Sequence, residues 1–185
     1  MSNNLQSRIE SKNAKIGVVG LGYVGLPLAV EFAKAGFFVT GIEIFQERVD
    51  QLNRGDNYIS DVDSSELSSL VESGKFVATT DYSVVSNLDA VSICVPTPLS
   101  KLKDPDVSFI QSALDELVKY LHPGLLVILE STTYPGTTRE LILPALTAGG
   151  SEVGKDFSLC FSPERIDPGN VEYKIKNTPK VIGGV

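Results

Sequence analysis

The stretch that most constrains this chain runs from Lys15 to Glu43 and reads KIGVVGLGYVGLPLAVEFAKAGFFVTGIE. A short apolar run, Ile16 to Val19, suits a strand buried on both faces. It leads into Gly20-Leu21-Gly22-Tyr23-Val24-Gly25, a G-x-G-x-x-G. Val24, Leu28, Val30, Phe32 and Ala35 then recur at mostly helical spacing up to Gly36, which suits a C-cap. A second apolar run, Phe37 to Ile42, ends in an acid at Glu43. The glycine pattern alone is a weak signal. Placed after a strand, at the start of a helix, and followed about twenty residues later by an acid ending a second strand, it is a strong one.

Each glycine has its own physical task. Gly20 lets the chain turn sharply out of the strand, Gly22 removes a Cβ where a pyrophosphate must approach, and Gly25 lets the helix lie close to the sheet. The helix N-terminus then offers unpaired N–H groups and the positive end of its dipole to the phosphates. Glu43 is placed to accept hydrogen bonds from the adenosine ribose and to repel a 2′-phosphate, which selects NAD over NADP. Arg48, about one helical turn on, is the nearby cation that argues the other way. The competing reading is a purely structural glycine turn in an ordinary α/β protein.

Farther along, strands and helices alternate. Phe45 to Arg54 reads as a helix and Gly55 to Asp61 as a polar loop. Asp63-Ser64-Ser65-Glu66 resembles a capping box opening a helix to Ser73, closed by Gly74. Phe76 to Thr79 and Ala90 to Val95 read as the third and fourth strands, the fourth central because it is apolar throughout. Pro96-Thr97-Pro98 stops it. Asp106 caps a helix with Val107, Ile110, Leu114, Leu117, Val118 and Leu121 on one face. Leu125 to Leu129 is the fifth strand, and Gly136 to about Ala148 a helix kinked or ended early by Pro144. Leu159 to Phe161 reads as a sixth strand and Lys180 to Ile182 as a last short one. The alternation predicts an α/β Rossmann-type fold, a doubly wound and mainly parallel sheet of strand order 3-2-1-4-5-6. Residues 15–185 form one NAD-binding domain in this reading. Residues 1–14 form a polar lead-in, disordered or loosely docked, with no signal-peptide core.

Such sheets bind ligands beyond the carboxyl ends of their strands. Five segments follow strands: Gly20 to Gly25, Glu43, Val95-Pro96-Thr97-Pro98, Glu130-Ser131-Thr132-Thr133, and Ser162-Pro163-Glu164-Arg165. They are expected to converge on one cleft. His122, the single histidine, precedes the fifth strand and falls at the opposite edge, so it reads as a surface turn residue rather than a base. Cys94, in Ile93-Cys94-Val95, has no neighbouring His or Lys to lower its pKa and reads as a small buried hydrophobe, as does Cys160. Two cysteines without metal-like spacing suit a reducing cytoplasm. A net charge of −7 argues against nucleic acid or anionic membrane as a partner, and no apolar run approaches a membrane span.

Five motifs in order, GLGYVGLPLA, the acid of GIEI, ICVPTPL, ESTTYPGT and SPERIDPGN, resemble the nucleotide-sugar 6-dehydrogenase family, which includes UDP-glucose, GDP-mannose and UDP-N-acetylhexosamine dehydrogenases. The likeness runs from about Lys15 to the end. ESTTYPGTT and SPERIDPGN are most similar to the UDP-N-acetylglucosamine and UDP-N-acetylgalactosamine branch. The resemblance implies oxidation of a sugar C6 alcohol to a carboxylate with two NAD, through a thiohemiacetal and a thioester on a cysteine. It implies that Gly20, Gly22, Tyr23, Val24, Gly25, Glu43 and Arg48 hold the adenosine and pyrophosphate end of NAD. Pro96, Thr97, Ser131 and Thr132 line the nicotinamide half. By the same resemblance Thr132 is expected to be a catalytic residue that places a water or the substrate oxygen, and Glu164 to be the candidate general base for thioester hydrolysis. Glu164 and Arg165 fall at the sugar.

The UDP-glucose branch typically continues Ser-Pro-Glu with Phe-Leu-x-Glu, whereas this chain reads Arg165-Ile166-Asp167-Pro168. That departure disfavours glucose, and leaves Arg165 and Asp167 either at the sugar or as a local ion pair shaping the loop. In the family the nucleophilic cysteine, its Lys and Asn partners, a long dimer-forming helix and a UDP-binding domain come later. The chain is therefore expected to be the cofactor domain of a cytoplasmic enzyme, a homodimer or larger, and inactive alone. The alternatives are a UDP-glucose or GDP-mannose dehydrogenase, or a purely NAD-binding module. Short-chain reductases require Tyr-x-x-x-Lys, which no tyrosine here satisfies, and a Rossmann-like methyltransferase is the non-redox rival.

Overall fold

The computed structural model describes residues 2–99, 105–165, 172 and 175–185. Strand β1 (Lys15–Val19) is followed by helix α2 (Gly25–Lys34), strand β2 (Phe38–Ile42) and helix α3 (Gln46–Asn53), with helix α1 (Ser2–Glu10) preceding them. Helix α4 (Ser64–Glu72), strand β3 (Phe76–Thr79), strand β4 (Ala90–Ile93) and helix α5 (Ser108–Leu117) come next. Strand β5 (Leu126–Leu129), helix α6 (Leu143–Thr147), strand β6 (Ser158–Phe161) and the short β7 (Gly183–Gly184) complete the chain. The sheet order is β3-β2-β1-β4-β5-β6-β7, as the alternation of elements requires, with every pairing parallel except β6 to β7. The order reverses between β1 and β4, which opens a crevice at their carboxyl ends.

Each face of the sheet carries its own core. On one, Val18, Leu26, Ala29, Ala33, Val39, Leu52 and Leu67 pack α2, α3 and α4 against β1 and β2. On the other, Val91, Ile93, Ile110, Leu114, Leu117, Val127 and Leu129 pack α5 against β4 and β5. The four residues of β4 are all buried, as a central strand requires, and they include one polar side chain, Ser92. Gly20, with φ +87°, makes the turn out of β1. Gly25 is needed for closeness: a Cβ there would lie 1.8 Å from the Gly20 carbonyl oxygen and 3.1 Å from the Cys94 Cβ.

Four expectations are revised. The polar lead-in is not loose: residues 2–10 form α1, and its end is tied down by the Arg8–Asp89 ion pair at 2.7 Å. The Asn13 and Ala14 amides also close on the Arg8 carbonyl, at 2.8 and 3.0 Å. The capping box is half made. Asp63 accepts from the Ser65 and Glu66 amides, but the Glu66 carboxylate turns away to Lys34 on α2 at 2.9 Å. The helix expected from Gly136 contains a π-helical stretch, Thr138–Ile142, before α6; Pro144, lacking an N–H, stands in the first turn of the α-helical part. The last strand is Gly183–Gly184 rather than Lys180 to Ile182, because Lys180 is drawn to an acid at the end of β5.

The Gly20–Gly25 contact can be tested by Gly25→Ala. The added Cβ forces α2 away from the sheet, an overpacking cost of about 1–3 kcal/mol. Urea denaturation followed by circular dichroism should show a clearly lowered midpoint, and an unchanged midpoint would show that the contact does not constrain the helix.

Candidate functional site

A cavity of about 410 Å³ opens at the crevice, and all five strand-end segments reach it: Gly20 to Val24, Glu43, Val95 to Thr97, Glu130 to Thr132, and Glu164. No described side chain caps α2, whose N-cap is Val24. That N-cap lines the cavity, so the positive end of the helix dipole lies at its wall. Gly22 has no atom within 4 Å of where a Cβ would stand, so a ligand can approach the backbone there. This wall could hold the phosphates of a dinucleotide.

Glu43, only 5% exposed, is held in place by the backbone. One carboxylate oxygen accepts from the Leu21 amide at 3.2 Å, and the other from the Ile44 and Phe45 amides at 3.0 and 3.3 Å. Arg48 stands 3.8 Å away, its guanidinium over the rings of Phe45 and Tyr58 at 5.0 and 5.3 Å. The pair is an acid ringed by donors with a cation beside it, so the cation's charge is already answered within the chain. A carboxylate has about four acceptor positions, which leaves room for one further hydroxyl.

At the other end, the Ser131 hydroxyl donates to the Val95 carbonyl at 2.7 Å and the Thr97 hydroxyl to the Thr132 carbonyl at 2.6 Å. These bonds tie the end of β4 to the end of β5. Ser131 and Thr97 therefore shape the wall through their own cross-strand bonds, while Thr132 is exposed in it. Behind them lies a buried ion pair: Glu130 meets Lys180 at 2.5 Å, with side chains 6% and 25% exposed. Burial raises the Glu130 carboxyl above its ordinary range, Lys180 pulls it back, and the nearby Glu164 adds to the rise. Cys94 lines the same cavity, and burial, with Glu130 and Glu164, pushes its thiol well above the ordinary value despite Lys180. A thiol so placed is not a nucleophile at neutral pH. Cys160 is half-buried rather than core, and burial pushes it up as well.

Gly20, Gly22, Tyr23, Val24, Glu43, Arg48, Pro96, Thr97, Ser131, Thr132 and Glu164 thus share one cavity. Gly25 does not line it and acts from behind, through the close helix contact. Arg165 lies instead against a small neighbouring recess with Leu28, Ile175, Thr178 and Lys180, which Glu164 also borders. Asp167, and with it the rest of SPERIDPGN, falls outside the described residues. His122 sits at the far end of the sheet, as its position before β5 implies, with Nε2 3.0 Å from the Leu88 carbonyl.

The sequence reading missed one wall. Phe109, Ser112, Ala113 and Glu116 of α5, together with Tyr82, line the cavity. The four α5 residues stand at i, i+3, i+4 and i+7, beside the apolar face of the same helix that packs on the sheet. In the sequence Glu130 stands out only as part of its strand-end segment, because its partner Lys180 lies 50 residues away.

Comparison with known proteins gives one answer. The model of the UDP-glucose/GDP-mannose dehydrogenase family, NAD binding domain, matches residues 14–185. The UDP-N-acetyl-D-glucosamine 6-dehydrogenase of Pseudomonas aeruginosa is 39% identical over 94% of this chain and 40% of its own length. The UDP-N-acetyl-D-mannosamine dehydrogenase of Escherichia coli K12 is 36% identical over 93% of this chain and 42% of its own. A solved structure, the NDP-N-acetyl-D-galactosaminuronic acid dehydrogenase of Methanosarcina mazei Go1, superposes with TM-score 0.86 at 36% identity, covering 97% of this chain and 41% of that one. The chain spans about two-fifths of the length of these relatives.

The Glu130–Lys180 pair makes a prediction about pH. Because the carboxyl of Glu130 is raised in the folded chain, the folded state holds that proton more tightly than the unfolded state. Its contribution to stability is therefore fully present at low pH and is lost as pH rises through the folded pKa. Lys180→Met removes the cation and raises Glu130 further, so the variant should lose about 2–4 kcal/mol at neutral pH and much less in acid. Glu130→Gln added to Lys180→Met should restore most of the loss. Urea midpoints at acid and neutral pH measure this, and a pH-independent loss would refute the electrostatic account.

Proposed function

The chain belongs to the UDP-glucose/GDP-mannose dehydrogenase family, as its NAD-binding domain, and from that premise we propose that it is the cofactor part of an enzyme that oxidises the C6 alcohol of a UDP-N-acetylhexosamine to the uronic acid, using two NAD. One observation carries this reading. The uncapped start of α2, the glycine turn and the backbone-held Glu43 share a cavity with Thr132 and Glu164, so a dinucleotide site and candidate reaction groups face each other. The names of the relatives support the N-acetylhexosamine class. In this reading residues 15–185 form the cofactor domain, residues 1–14 lead into it, and the sugar site is completed by parts of a longer, cytoplasmic enzyme that is a homodimer or larger.

Within the domain the roles divide by position. The amides of Gly22, Tyr23 and Val24 bind the pyrophosphate, Glu43 accepts from one ribose hydroxyl, and Arg48 flanks the adenosine. Pro96, Thr97 and Ser131 hold the strand ends that wall the nicotinamide, and Thr132 places an oxygen of the substrate or of water. NAD, when bound, supplies the hydride acceptor. Glu164, half-buried at the cavity edge, takes the proton of the water that hydrolyses the thioester, and Arg165 lies beside it toward the sugar. Neither cysteine of this chain serves as the thiolate, so the domain alone binds cofactor and does not turn over.

Calorimetry should show NAD binding to this chain and NADP binding much more weakly. Glu43→Ala should cost on the order of 1–3 kcal/mol of NAD affinity, and equal affinity for the two cofactors would remove the role given to Glu43. In the longer enzyme, a panel of nucleotide sugars read by NADH absorbance should favour a UDP-N-acetylhexosamine. Glu164→Gln there should accumulate a covalent enzyme adduct detectable by mass spectrometry, whereas an undiminished overall rate would exclude Glu164 from the mechanism.

A further inference from the structure

Tyr58 belongs to the loop after α3, does not line the cavity, and is named by none of the sequence motifs. Its hydroxyl nevertheless donates to the carbonyl of Leu21 at 2.8 Å, across a separation of 37 residues. Leu21 stands between the two glycines that face the ligand, and it is held from three sides. Its amide donates to Glu43, its carbonyl accepts from Tyr58, and its fully buried side chain fills the space over Gly41. The carbonyl of Leu21 and the amide of Gly22 belong to one planar trans peptide, so they point in opposite directions. Fixing the carbonyl on Tyr58 therefore aims the Gly22 N–H away from Tyr58. The ring of Tyr58 meanwhile lies against the guanidinium of Arg48, 5.3 Å from its centroid.

We propose that Tyr58 is a positioning residue for the cofactor: its hydroxyl orients the Leu21–Gly22 peptide so that the Gly22 amide meets the pyrophosphate, and its ring holds Arg48 at the adenosine. The inference rests on the NAD-binding reading above. One side chain thereby joins the phosphate-binding turn to the adenosine-binding cation, although it touches the cofactor at neither point. Burial and the charge of Glu43 push the phenol up to about 12, against the pull of Arg48, so the hydroxyl remains a donor throughout the neutral range.

The two jobs of the residue can be separated. Tyr58→Phe keeps the ring and removes the hydroxyl, and Tyr58→Leu removes both. NAD and ADP carry a pyrophosphate, and adenosine does not. Calorimetry with NAD and ADP, and an NMR titration with adenosine, should show Tyr58→Phe weakening NAD and ADP alike by about three- to tenfold, the range of one lost hydrogen bond, with adenosine unchanged. Tyr58→Leu should weaken adenosine as well. Unchanged ADP affinity in Tyr58→Phe, or an equal loss for ADP and adenosine, would overturn the proposal, the second by reducing Tyr58 to general support. In the unaltered chain the Gly22 amide resonance should shift on adding ADP, and a stationary Gly22 resonance in the presence of bound ADP would overturn it even where a variant does not fold. An unaltered chain that binds neither NAD nor ADP would instead remove the cofactor reading itself, and this inference with it.

Discussion

The cleft depends on how closely α2 approaches the end of β1. At Gly25 the helix comes so near the Gly20 carbonyl that no side chain fits between them, and this closeness brings the uncapped helix start over the strand ends. The remaining features follow from it. The turn can pass within hydrogen-bond reach of Glu43 at the end of β2, and the parallel order around β1 and β4 brings the ends of β5 and β6 to the opposite wall. A helix held a few ångströms farther out would leave the same residues on the surface without a shared cavity.

The electrostatics are local rather than global. The chain carries a net charge of −7, yet the wall suited to an anion is made of backbone amides and a helix dipole, which need no basic residue. The two buried acids near the cavity are managed differently. Glu43 is surrounded by backbone donors, with Arg48 to one side, whereas Glu130 is met, among the described residues, by the Lys180 cation. The first arrangement leaves an acceptor position toward the ligand. The second consumes the charge inside the protein, beneath the strand ends that Ser131 and Thr97 tie together.

Much of this was legible in the sequence, and what was not has a common cause. The glycine turn, the acid after β2, the six-strand order and the convergence of five strand ends all follow from short-range pattern and from the topology of parallel sheets. The helical lead-in was not legible because what secures it is Arg8 on Asp89, a partner far along the chain. The half-made capping box, the Glu130–Lys180 pair and the Tyr58–Leu21 bond are long-range contacts of the same kind, each joining residues 32 to 50 positions apart. The wall contributed by α5 was written in its helical spacing but overshadowed by the apolar face beside it.

The most direct measurement is a crystal structure of this chain with NAD. The pyrophosphate is expected on the amides of Gly22 and Tyr23, a ribose hydroxyl within hydrogen-bond distance of the Glu43 carboxylate, and the nicotinamide between Thr97 and Thr132. A dinucleotide bound elsewhere, or in the cleft with its ribose away from Glu43, would contradict this placement.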